Sequence, residues 1–123
     1  MSTTASTWPP SPIPPYARQT QSPLTQTLTD TGAVSLTTNT TILDQGEQDD
    51  AISISIADGS YEGQLKTIRV DETRIAEGSA TWTLSGTFAN FTTITFDATS
   101  INAVLQWGGS AWFLVGGQPQ VNP

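Results

Sequence analysis

The sequence predicts an all-β protein, an antiparallel β-sandwich or jelly-roll-like domain of about eight short strands with an extended Pro-rich N-terminal arm. Three observations predict this class. Thr and Ser supply 33 of the 123 residues, and only 12% of residues are charged. The β-branched and aromatic residues stand in short separated runs, which favours pleated strands over helices. Turn residues such as Gly, Asp and Asn separate these runs at regular intervals.

The arm comprises residues 1–23, which contain six of the eight prolines. Proline fixes φ and lacks an amide donor, so the arm is neither helix nor central strand. A polyproline chain advances about 3.1 Å per residue, so residues 8–23 would reach about 50 Å when fully extended. The composition also fits a disordered leader, but the spaced apolar side chains favour docking into a partner's grooves. The predicted docking residues are Trp8, Pro9, Pro10, Pro12, Ile13, Pro14, Pro15 and Tyr16.

The β domain comprises residues 24–123. Its clearest strand alternates Ile52, Ile54 and Ile56 with serines, so the three isoleucines share one buried face. No helical connection interrupts the strands, which predicts a sheet without parallel crossover units. The other predicted strands cover residues 24–29, 33–37, 40–43, 65–70, 80–85, 92–96, 101–107 and 111–115.

Charge argues against several classes of partner. The formal net charge is −7, and such a chain repels nucleic-acid phosphates and anionic lipid. No apolar run approaches the ~20 residues of a transmembrane helix, and the N-terminus does not resemble a secretory signal. We therefore expect no nucleic-acid or membrane partner, and synthesis in a host cytoplasm.

The chain contains neither Cys nor His. Disulfides, thiolate nucleophiles, Ser-His-Asp triads and ordinary zinc sites are thereby excluded. Adjacent carboxylates such as Asp71 and Glu72 point to opposite faces of a strand, so they do not serve one substrate together. The charged group from Lys66 to Arg74 is interpreted as a solvated edge. We expect no enzyme activity, no catalytic residue and no cofactor.

The loop from Asp44 to Asp50 gathers four carboxylates in seven positions. Hard oxygen ligands at this density suit Ca²⁺, but the spacing does not match the twelve-residue calcium loop. A solvated surface turn is the expectation, with no metal site. Calcium held between subunits stays open as the alternative.

The strand from Gly109 to Val115 is apolar on both faces. Trp112 and Leu114 share one face, while Phe113 and Val115 share the other. A strand buried twice predicts oligomerisation, because a monomer would expose an apolar patch and an open edge. The alternative is that Trp82, Trp107, Trp112 and the phenylalanines stack on sugars. The predicted subunit interface consists of Trp107, Trp112, Phe113, Leu114 and Val115.

The segments Thr93–Phe96 and Ala103–Gly117, together with Asp58–Ile68, resemble a β-module of small particle proteins of tailed bacteriophages. That group includes capsid decoration proteins, head fibres and the ends of tail fibres. The resemblance spans residues 24–117 and implies a homotrimer on the virion that contacts the major capsid protein.

The resemblance and the composition together predict a structural virion protein, a capsid decoration or cement protein that binds and stabilises the outer surface of a phage capsid. One alternative is a glycan-binding host-recognition module of a fibre or spike. Others are a head-fibre or tail adaptor part, and a carbohydrate-active enzyme or free lectin.

Overall fold

A computed structural model describes residues 22–71 and 80–123 of the chain. The predicted docking residues Trp8 to Tyr16 lie outside these ranges. The described residues form ten strands: β1 (Ser22–Leu28), β2 (Gly32–Ala33), β3 (Thr38–Leu43), β4 (Ala51–Ser55), β5 (Leu65–Val70), β6 (Thr81–Ser85), β7 (Thr93–Phe96), β8 (Asn102–Trp107), β9 (Trp112–Gly117) and β10 (Gln120–Asn122).

The strands form two five-stranded sheets that enclose one apolar core. Sheet I has the order β9-β8-β5-β3-β1, and sheet II has the order β10-β7-β6-β4-β2. The predicted all-β sandwich is confirmed. The described residues include no helix long and apolar enough to span a membrane.

The strand pairings are mixed, which corrects the antiparallel expectation. Strands β1, β3 and β5 pair in parallel in sheet I, and β2, β4 and β6 do so in sheet II. The four remaining pairings, all made by β7 to β10, are antiparallel. The first six strands alternate between the sheets, so the return path between two parallel neighbours is a strand of the opposite sheet. The prediction assumed that only a helix could serve as that crossover.

The core follows the predicted alternation. Ile52, Ile54 and Ile56 are each at most 4% exposed, as the period of two requires. Trp82, Leu84, Ile94 and Phe96 complete the inner face of sheet II, while Leu43, Ile68 and Leu105 face them from sheet I.

Consecutive strands run in opposite directions, so successive connections lie at opposite ends of the sandwich. The acidic end carries the connections 29–31, 44–50, 97–101 and 118–119, together with Asp71 after β5. The entry end, where the chain enters β1, carries the connections 34–37, 56–64, 86–92 and 108–111.

The arm joins the sandwich at an edge strand. Strand β1 begins at Ser22, two residues before the predicted boundary, and forms one edge of sheet I. Its register with β3 shifts between Ser22 and Thr25. Pro23 lies in this irregular stretch, where a missing amide donor costs no regular ladder bond.

Candidate docking surface

Acidic side chains concentrate at one end of the sandwich. Of the nine acidic residues in the described ranges, seven lie at the acidic end: Asp30, Asp44, Glu47, Asp49, Asp50, Asp71 and Asp97. Only Asp58 and Glu62 lie at the entry end. The molecule is therefore electrostatically polarised along its strands.

The loop 44–50 is a compact turn. Asp44 Oδ1 accepts a hydrogen bond from the Gly46 amide at 3.0 Å, and Gly46 has a positive φ of 59°. Gln48 Nε2 donates to the carbonyl of Thr29 at 2.8 Å, which joins two connections of the acidic end. Within residues 22–71 and 80–123, no group of three or more carboxylates is arranged to hold a metal ion.

Two tryptophans organise the entry end. Trp107 and Trp112 meet edge to face with ring centroids 5.3 Å apart. The Trp112 Nε1–H donates to the carbonyl of Ala57 at 2.9 Å, which anchors the connection 56–64. A Cβ added at Gly59 would lie 2.2 Å from Trp107 Cγ, so the backbone of this connection packs directly on the indole.

The residues of the predicted subunit interface differ in burial within the single chain, and the interface itself stays a prediction. Trp112 is fully buried and Trp107 is 6% exposed within the single chain, so both are core residues with little surface for a second subunit. Leu114 is half-buried against the core, on the same face of β9 as Trp112. Phe113 and Val115 are 46% and 51% exposed and point the opposite way. Only these two retain substantial contact surface.

Burial also limits the aromatic surface available to the sugar-stacking alternative. Trp82, Trp112 and Phe96 have no exposed surface. Phe88 and Phe91 stack on each other with centroids 4.8 Å apart and pack partly against the core. Of the aromatic residues named for that alternative, only Phe113 is largely exposed in the described part of the chain.

A third exposed apolar side chain lies on the face of Phe113 and Val115. Leu65 on β5 and Phe113 on β9 both pair with Gln106 of β8, so the three form one row across sheet I. Leu65 is 47% exposed, and Val115 lies nearby at the β9 irregularity between Leu114 and Gly116. We call Leu65, Phe113 and Val115 the apolar patch.

Lys66 lies on the inner face of β5. It was predicted to lie on a solvated edge, but it is fully buried. Its Nζ donates to the carbonyl and the hydroxyl of Thr38 at 2.9 and 3.0 Å. Burial lowers the pKa of Lys66 to about 8. Counting back by twos from the inward Ile68 would have placed Lys66 inside and Leu65 outside.

Gln64 is the polar neighbour of Lys66 on the inner face. Its Oε1 accepts a hydrogen bond from the Ser60 amide at 2.6 Å, and its Nε2 donates to the Leu36 carbonyl at 3.3 Å. The two bonds join the connections 34–37 and 56–64, so buried polar groups hold the entry end together.

Sheet II presents a different outer surface. An open groove of about 420 Å³ beside β2 is lined by small residues, including Ser53, Ser55 and Ser85. No charged side chain lines it, and the groove is too shallow to enclose a ligand.

In comparisons with known proteins, no family model and no curated protein matches the chain.

Proposed function

We propose that the protein is a capsid decoration protein of a tailed bacteriophage, which binds the outer surface of the assembled shell and stabilises it. The proposal starts from the phage-particle resemblance. The observation that carries it further is the polarity of the sandwich. Seven described carboxylates lie at one end, whereas Ser22, at which the arm joins β1, and two members of the apolar patch, Leu65 and Phe113, lie at the other.

This polarity gives a direction for binding. The entry end faces the shell, where the arm and apolar side chains exclude water from the contact. The acidic end faces solvent and keeps densely packed copies apart through like-charge repulsion.

Self-association is part of the same proposal. Strand β9 is an edge of sheet I, and Val115 adds an exposed apolar side chain to it. A homotrimer joined along this strand would present three arms to the shell. After one arm has bound, the other two bind at high effective concentration.

The direct test uses particles of the phage that encodes the chain. Decorated particles are compared with particles stripped of the protein and with stripped particles to which it is added back. A ligand that binds the assembled shell but not its separate subunits shifts the equilibrium toward the shell. We expect DNA to become accessible to a dye at a higher temperature when the protein is bound, with the rise increasing with occupancy.

Add-back with Trp8→Ala tests the docking direction, and Glu47→Gln at the acidic end is the matched control. We expect the first variant to bind shells weakly and the second to bind normally. Equal release temperatures for stripped and decorated particles, with better adsorption of decorated particles to host cells, would favour the host-recognition alternative. A few copies per particle instead of hundreds would favour a fibre or tail part.

A further inference from the structure

The apolar patch has a defined geometry on the outer face of sheet I. Leu65 and Phe113 flank Gln106 in a single row, so they are two strand spacings, or about 10 Å, apart. The Phe113 ring lies over Gly108, where an added Cβ would be 2.4 Å from Phe113 Cε1. The ring is thus supported on one side and open on the other.

The chain enters sheet I in line with this row. Ser22 pairs with Thr38, and the parallel register of Thr40 with Thr67 places Thr38 beside Leu65. Ser22 is therefore about 10 Å from Leu65, across two strand spacings. The six residue steps from Ser22 back to Tyr16 span about 19 Å at 3.1 Å each, which leaves length for the chain to turn onto the outer face.

The sequence of the arm matches the spacing of the row. A polyproline helix has three residues per turn, so Ile13 and Tyr16 would share one side, about 9 Å apart. That distance is close to the separation of Phe113 from Leu65. Pro10 precedes Ile13 by the same interval of three and extends the apolar side.

Charge favours the same contact. Arg18 is the only charged side chain in residues 1–21, whereas residues 22–123 carry 11 acidic and three basic residues, a net charge of −8. The arm is therefore opposite in charge to the body, which favours contact between the two. A second copy of the body would carry the same net charge of −8 and would be repelled overall.

We infer that the arm of the same chain covers Leu65 and Phe113 of the apolar patch in the free protein, with Tyr16 on Leu65 and Ile13 on Phe113. The stiff segment loses little conformational entropy on docking, and its tether gives it a high local concentration. Trp8 lies out of phase with Ile13 and Tyr16, so its side chain stays available to another partner. The inference does not depend on the proposed capsid function.

Photocrosslinking of the full-length protein tests this contact. A benzophenone amino acid replaces Tyr16, or Trp8 as the out-of-phase control, and irradiated protein is separated on a denaturing gel. We expect position 16 to crosslink within the 13.1 kDa chain, to the peptide that contains Leu65 or to the one that contains Gln106. Position 8 should give no such product.

Substitutions in the body supply the second measurement. Leu65→Ser should lower the yield from position 16 about fivefold or more, since apolar contacts dominate such interfaces. Val121→Ser is the matched control, because Val121 is 42% exposed but lies on β10 of sheet II. Its yield should equal that of the unsubstituted body.

Three results would overturn the inference. Crosslinks in a dimer band would assign the patch to the arm of a neighbouring copy. Crosslinks to another region, or a yield insensitive to Leu65→Ser, would show that the patch is not the arm's dock. Intact crosslinking in a protein that does not bind particles would support the inference and contradict the capsid proposal, and particle binding without the crosslink would do the opposite.

Discussion

The acidic end and the entry end of the sandwich differ in the kind of interaction that forms their connections. At the acidic end, carboxylates accept bonds from nearby backbone amides, as Asp97 does from Thr99 and Ser100. At the entry end, connections pack on indoles and on buried polar side chains such as Gln64 and Lys66. One end is therefore solvated and charged, while the other is an extension of the core.

The difference follows from the winding of the chain. Consecutive strands run in opposite directions and send alternate connections to opposite ends, so acidic residues placed in every second connection collect at one end. These residues stand in separate stretches of the sequence, and the topology brings them together in space. Such polarity requires no charged sheet face and leaves both outer faces available for contact.

The largest expected effect is on stability and comes from Lys66, a charged group that is buried at the entry end. Its pKa is lowered from 10.5 to about 8, so the unfolded chain binds more protons between these values. The free energy of unfolding should therefore rise with pH across this window, by up to about 3 kcal/mol. Below pH 8 the full cost of burying the charge remains. Urea unfolding at pH 7 to 10.5 measures the slope.

Lys66→Met removes the titrating group and should flatten the difference between pH 8 and 10.5. At pH 7 the variant should be more stable than the natural chain, because it buries no charge. The loss of the two hydrogen bonds to Thr38 reduces this gain in stability. Arg69→Met, on the exposed face of the same strand, is the control and should keep the rise. A parallel response of both variants would mean that Lys66 is not the source.

The next largest effect compares how tightly the two ends are packed, by the stability lost on replacing one glycine at each end with alanine. Gly59→Ala inserts a Cβ 2.2 Å from Trp107 Cγ and should cost about 1–3 kcal/mol, toward the upper value, because the indole is held in the core. Gly46→Ala meets no atom within 4 Å and should cost about 1 kcal/mol from its positive φ alone. Thermal unfolding compares them. Equal losses would show that the entry end is no more tightly packed than the acidic end.

The strands could be predicted from the sequence because alternation of side chains records burial directly. The predicted strand 65–70 coincides with β5, and Ile52 to Ile56 face the core as expected. Strand β10 was missed because Gln120–Asn122 has no apolar alternation. It forms through pairing with β7, where Asn122 Nδ2 donates to Thr93 and Thr95 hydroxyls.

The candidate site was less predictable, because exposure depends on which strands become neighbours. Phe113 and Val115 could be found from the two apolar faces of β9. The sequence could not show that Trp107 and Trp112, unlike Phe113 and Val115, are buried. Their burial depends on contacts with Gly59 and Ala57, some 50 residues earlier in the chain. The parallel pairings had no local signal at all, because strands of the opposite sheet serve as the crossovers that helices usually provide.

The smallest expected effect tests the acidic end at Asp97. Its Oδ1 accepts bonds from the Thr99 amide, the Thr99 hydroxyl and the Ser100 amide, all within 2.9 Å. These bonds, led by the Thr99 amide, lower the pKa of Asp97 below its ordinary 3.8. A carboxyl with a lowered folded pKa contributes stability that is present above the unfolded value and is lost as pH falls through the folded one. Asp97→Asn should therefore cost roughly 0.5–1.5 kcal/mol at pH 7 and almost nothing at pH 2.

Glu47→Gln is the control for Asp97→Asn, because it removes one charge from the same end without removing these turn bonds. It should be neutral or slightly stabilising at pH 7, since it relieves repulsion among the carboxylates there. Urea unfolding at pH 2, 4 and 7 measures both variants. If the Asp97→Asn loss persists at pH 2, the turn depends on side-chain geometry instead of ionisation. The connections of the acidic end would then be stabilised by side-chain hydrogen bonds, as those of the entry end are. The negative charge would affect only the interactions of the outer surface with its surroundings.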